Sequence, residues 1–111
     1  DVMVAELVRE AALEGVRDEL PHSLAVAVEE MVEREGRNGK RTLAIHVNVY
    51  VERQSQKAIV IGRGGGRLRD VGTRARREIE ELLGRPVFLD LHVKVAKDWQ
   101  RDPKQLGRLG F

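Results

Sequence analysis

The chain has 111 residues, the size of one domain, and its 41% hydrophobic content separates it from disordered sequences. It has no cysteine, which excludes disulfides and thiolate metal sites, and no apolar run approaches the ~18–20 residues of a membrane span. Twenty Lys and Arg against eighteen Asp and Glu give a net charge of +2, too small a total to name a partner by itself.

Residues 2–20 read as an amphipathic helix, with Val4, Val8, Ala11, Ala12 and Val16 along one side and Pro21 ending it at Leu20. A strand follows, marked by the alternation of Leu24, Val26 and Val28. Residues 35–41 form a turn in which Asn38-Gly39 favours a tight hairpin. The second strand places Leu43, Ile45, Val47, Val49 and Val51 on a core face, with Ala44, His46, Asn48, Tyr50 and Glu52 on a face expected to be wetter. A short apolar helical segment over 54–61 leads to Gly62-Arg63-Gly64-Gly65-Gly66. The next helix carries Leu68, Val71, Ala75, Ile79 and Leu82 as its core stripe and stops at Gly84. A third strand alternates Val87, Leu89, Leu91, Val93 and Val95 with Phe88, Asp90, His92 and Lys94. Asp102-Pro103 predicts a short tail helix over about 102–109. The order implies an α+β fold, a three-stranded sheet with helices packed on one face, and one domain over 1–111.

The charges are segregated. Arg63, Arg67, Arg69, Arg74, Arg76 and Arg77 face a single acid, Asp70, within that stretch. Such a stripe suits a polyanion, although Arg74–Glu78, Arg76–Glu80 and Arg77–Glu81 also stand at the i,i+4 spacing of a self-paired, solvated helix face. The glycine loop lets the backbone approach a partner, and the helix after it turns its N-terminal amides and positive dipole end to the same place. That chemistry favours phosphate; a plain glycine-rich connector is the alternative for this loop taken alone. A nucleoside-triphosphate loop is not formed, because Gly39-Lys40-Arg41-Thr42 has the wrong spacing. A dinucleotide fingerprint needs a strand leading into the turn, whereas here the loop joins two helical segments.

Ile61-Gly62-Arg63-Gly64-Gly65, followed by Leu68, resembles the GXXG signature of KH domains, with Arg63 and Gly64 as the variable positions. The element order resembles the type II arrangement, αββααβ, with a three-stranded mixed sheet. The chain is similar in particular to the C-terminal KH domain of Era-type GTPases. The similarity runs through Glu19-Leu20-Pro21-His22-Ser23, Tyr50-Val51-Glu52-Arg53 with Ser55-Gln56-Lys57, residues 61–72 with Ala75-Arg76, Val93-Lys94-Val95 with Asp98-Trp99, and Leu109-Gly110-Phe111. The resemblance implies a single-stranded RNA-binding module for the 3′ end of 16S rRNA, half of a GTPase acting in 30S ribosomal subunit maturation. The GTPase half, with its GTP and magnesium, is expected to lie outside this chain, which then has no catalytic residue and no cofactor. A monomer in the cytoplasm is expected, peripheral to the inner membrane at most.

Mapped onto this sequence, Gly62, Arg63, Gly64 and Gly65 would approach RNA phosphates, with Lys57, Arg67 and Arg69 as further backbone contacts. Ile59 and Ile61 would supply an apolar floor for bases, or pack in the core. Gly62→Asp with Gly65→Asp is expected to abolish binding and leave the fold intact. Gly64 and Gly66 stand where the family has larger or more polar residues, and the 36–41 turn is more basic than the family pattern. His22, His46 and His92 lack metal-ligand spacing, so no zinc site is expected. The other function class open to the sequence is a protein-interaction scaffold on the same fold.

Overall fold

Asp1 starts the first helix. Its Oδ1 accepts hydrogen bonds from the N–H groups of Met3 at 2.8 Å and Val4 at 3.2 Å, two donors that a helix start leaves unpaired. The computed structural model describes residues 1–20 and 24–96, and in it this helix, α1, spans Val2–Leu13. The sequence pattern predicted Leu20 as its end. The helix stops early because Gly15 takes a left-handed φ of 77°, after which Val16 to Leu20 form turns whose N–H groups return to Leu13 and Val16 carbonyls. Val4, Val8, Ala11, Ala12 and Leu13 are buried, at roughly 1.5–3 kcal/mol for each full-sized aliphatic side chain.

Strand β1 (Leu24–Glu35) pairs antiparallel with β2 (Arg41–Val51), and β2 pairs parallel with β3 (Val87–Val95), in the order β1-β2-β3. The sheet is therefore mixed, as expected. A parallel neighbour cannot be reached by a tight turn, and the crossover is supplied by helix α2 (Gln54–Ile61), the glycine loop and helix α3 (Gly66–Leu83). At the hairpin tip Asn38 and Gly39 both have positive φ, 68° and 70°, the backbone that this dipeptide favours.

Among the described residues the three α-helices pack on one face, where Ile45, Val47, Val49, Val51, Val60, Val71, Ala75, Ile79 and Val87 join the α1 residues in one cluster. Leu82, expected in the core stripe, is 45% exposed, and Leu83 packs against the cluster instead. Gly84 ends α3 in the left-handed region and donates its N–H to Glu80 O at 2.8 Å, as a C-terminal glycine should. The opposite face of β2 is not wet. Ala44, Asn48 and Tyr50 are buried there, with Ala25, Ala27, Tyr50 and Ala96 forming a small separate cluster. Glu29 makes this possible: the register slips between Val28 and Glu30, and its carboxylate accepts from Asn48 Nδ2 and Tyr50 Oη, both at 3.2 Å. The predicted tail helix lies outside the described residues. Among the described residues, no helix is long and apolar enough to cross a membrane.

Candidate nucleic-acid interface

The loop is built by α2 stopping and α3 starting almost head to tail. Gln56 fixes the start of α2 by accepting the N–H groups of Glu52 and Arg53 on Oε1, both at 3.0 Å. At its other end Gly62 donates to Ala58 O at 2.9 Å while taking φ 75°, ψ 177°, a combination essentially reserved for glycine. Gly64 and Gly65 follow at φ 61° and 76°, and Gly65 N–H returns to Gly62 O at 3.2 Å. The glycines of the loop differ in their surroundings. A Cβ on Gly62 would lie 2.5 Å from Arg67 Cβ, whereas a Cβ on Gly64, Gly65 or Gly66 would meet nothing within 4 Å. The tip of the loop is open to an approaching strand. The proposed Gly62→Asp test therefore needs correction, because that substitution would distort the backbone as well as add charge.

From the loop an open groove of about 410 Å³ runs along α3, bounded by Gly65, Leu68, Arg69, Gly72, Thr73 and Arg76 on one side and Leu89 and Leu91 of β3 on the other. At Gly72 the helix faces β3 directly: a Cβ there would stand in ordinary contact with Leu91 Cδ1, at 3.7 Å. At its far end Glu80 ties the two walls together, with Oε2 accepting Val87 N–H at 2.9 Å and Oε1 accepting Arg76 Nη1 at 3.3 Å. β3 pairs only with β2 among the described strands, so its outer edge stands beside the groove.

The basic stripe divides into two sets. Two of the three i,i+4 pairs expected form, Arg74 with Glu78 at 2.9 Å and Arg76 with Glu80, whereas Arg77 does not pair with Glu81; Arg74 also pairs with Glu14. The Glu78 hydrogen bond, then the one to Glu14, raises the Arg74 guanidinium further above its ordinary value. Arg63, Arg69 and Arg77 are exposed and have no ion pair among the described residues. Arg63 lies in the loop and Arg69 lines the groove, so two of the sequence candidates come together with the glycines.

The remaining candidates lie elsewhere. Lys57, Ile59 and Ile61 are half-buried on α2 and line no part of the groove, and both isoleucines pack against the core. Arg67 points at α1, where its Nη2 donates to Ala12 O at 2.8 Å and Glu14 O at 2.6 Å. His46 and Asn48 are on the far side of the sheet. Sequence reasoning missed Gly72, Thr73, Arg76, Leu89 and Leu91 as groove residues. One signal was available: Gly72 stands inside a strongly helical pattern, where glycine costs roughly 1 kcal/mol against alanine.

An α+β domain with a mixed three-stranded sheet, and two helices joined by a glycine loop between its parallel strands, defines a class, and the sequence places the molecule in it. The family model described as "KH domain" matches residues 19–100, and the chain belongs to the KH domain family. Over nearly its whole length it is similar to proteins named GTPase Era: 74% identical to that of Streptomyces coelicolor and 70% to that of a Nocardioides species. The match covers 99% and 100% of this chain but 35% and 36% of those relatives, so the chain spans about a third of their length. Two solved structures superpose with TM-scores of 0.87 at 42% identity over 98% of this chain. One is Era in complex with MgGDPNP and nucleotides 1506–1542 of 16S ribosomal RNA, and the other is a variant of Aquifex aeolicus Era bound to GDP·AlF4−; the chain covers 35% and 36% of them.

Proposed function

We propose that this chain binds single-stranded RNA, with the strand's phosphates on the open backbone of Gly64 and Gly65 and its bases in the groove between α3 and β3. The observation that carries this is the uncovered loop tip leading directly into that groove, with Arg63 and Arg69 free of ion pairs among the described residues. KH modules as a class clamp about four nucleotides by their backbone. Here Gly62 shapes the bend, Arg63 and Arg69 supply charge, and Leu68, Leu89 and Leu91 offer an aliphatic surface for bases. Lys57 is a peripheral phosphate contact, and Ile59 and Ile61 support the loop from the core.

The RNA we assign is the 3′ end of 16S rRNA, because a structure sharing 42% identity with this chain holds nucleotides from that molecule. On the same grounds we take residues 1–111 as one type II KH unit, working in the cytoplasm on the 30S subunit as part of a GTPase. GTP, magnesium and hydrolysis belong to the rest of that protein, and this unit contributes no catalytic residue.

The experiment is titration of a labelled oligonucleotide matching the 16S 3′ end, against a scrambled control, with the wild-type chain and with Gly64→Asp plus Gly65→Asp. An added Cβ meets no neighbour at either site, and aspartate enters the left-handed backbone that both require more readily than most side chains, at some cost in strain. Two added carboxylates beside the phosphates are expected to weaken binding at least about tenfold, with a modest fall in melting temperature that Gly64→Ala plus Gly65→Ala, strained alike but uncharged, should reproduce without the loss of binding. Unchanged affinity in the variant would remove the loop from the mechanism. Equal weak binding of both oligonucleotides by the wild type would favour the scaffold function.

A further inference from the structure

On the RNA-binding assignment above, we propose that Arg67 is a latch holding the glycine loop against the C-terminal end of α1, a positioning residue and not a phosphate ligand. Both ends of its side chain are engaged. At the root, Arg67 Cβ, N and Cα lie 2.5, 3.0 and 3.3 Å from where a Cβ on Gly62 would stand, so the first loop glycine rests on Arg67 itself. At the tip, Nη2 donates to Ala12 O and Glu14 O, at 2.8 and 2.6 Å, joining the last turn of α1 to the residue that leaves it. Nη1 is sealed from solvent with no hydrogen-bond partner among the described residues.

A phosphate seeking Nη2 would have to take the place of the Ala12 and Glu14 carbonyls, and the guanidinium charge is already matched to the carbonyl-rich, negative end of that helix. Arg74 adds a second strut, pairing with the Glu14 carboxylate across the same junction. Arg63 and Arg69, on either side of Arg67 in sequence, have neither kind of tie among the described residues. The loop's bend and the end of α1 therefore move as one piece, and the grip on RNA depends on where α1 ends.

Arg67→Lys and Arg67→Gln separate a latch from a ligand. Lysine keeps the charge and the stem but loses the planar fork that reaches two carbonyls. A latch predicts that both variants weaken oligonucleotide binding by about tenfold, the scale of one lost charged hydrogen bond, without altering the salt dependence. It also predicts faster amide hydrogen exchange at residues 62–66 in both. A ligand predicts wild-type binding for Arg67→Lys, unchanged exchange, and for Arg67→Gln a log–log salt slope shallower by about 0.7, the value for one single-strand phosphate contact; that result overturns the proposal. If the unmodified chain binds no RNA, the function assignment fails on its own, and the exchange rates still decide whether the latch exists. Thermal unfolding accompanies each variant, and loss of folding in both would make Arg67 a residue of global stability and also refute a local latch.

Discussion

At φ 75°, ψ 177°, Gly62 combines a backbone that side chains avoid with a site where a Cβ has no room. Gly62→Ala is expected to lower unfolding free energy by about 1–3 kcal/mol, read from denaturant midpoints, whereas Gly64→Ala, with open space around it, should cost less. Equal losses at the two positions would show that the contact with Arg67 is unimportant. The glycine run itself was legible in the sequence, but the division of labour within it was not. One glycine shapes the bend and two leave it bare, and that depends on Arg67, which the chain brings beneath Gly62 only when α3 forms. The arginines pose the same problem. A string of six positive side chains looks uniform until the partners of Arg67 and Arg74, more than fifty residues earlier at the end of α1, are in place.

Among the elements, the strands and α3 could be read closely, because alternation over 43–51 and 87–95 and the stop at Gly84 are local signals. The end of α1 could not, since the apolar spacing continues to Val16 while the backbone turns at Gly15. Nor could the back of the sheet. Asp90 on β3 receives His46 of β2 and His92 of its own strand on one oxygen, each at 3.0 Å, a cluster assembled only by the parallel register His46↔Asp90. Burial alone would raise the Asp90 carboxyl, but the hydrogen bonds from His46 and then His92 more than offset it and hold the group below its ordinary value of 3.8. A carboxylate depressed in the folded state stabilises the fold above its unfolded pKa, and that contribution fades as pH falls through the folded one. Asp90→Asn should therefore destabilise the chain near neutral pH and shrink the gap to wild type below about pH 4, measured by urea unfolding across pH. A gap independent of pH would dissociate Asp90 from the acid limb.

For the whole molecule, the net charge of +2 hides a directional surface. Exposed Arg63 and Arg69, unpaired among the described residues, sit at the loop and along the groove, while several acids are held by other arginines, as in the Glu33–Arg85 pair at 2.5 and 2.7 Å, whose hydrogen bond lowers the Glu33 carboxyl. If three or four phosphates are neutralised, the logarithm of affinity should fall against that of salt with a slope of about −2 to −3. A slope near zero in the same titration would mean that the oligonucleotide is held without its backbone.

The extra residue at Glu29 has a reach beyond the two side chains it satisfies. Because the pairing slips there, Met31 and Glu33 stand opposite Ile45 and Leu43 on the helix side, where Glu33 meets Arg85 in the turn after α3. An uninterrupted strand would send Glu30, Val32 and Arg34 to that side and turn Glu33 to the back. One inserted amino acid thus decides which way the outer half of the first strand looks, and with it whether that half is clasped to the turn after α3.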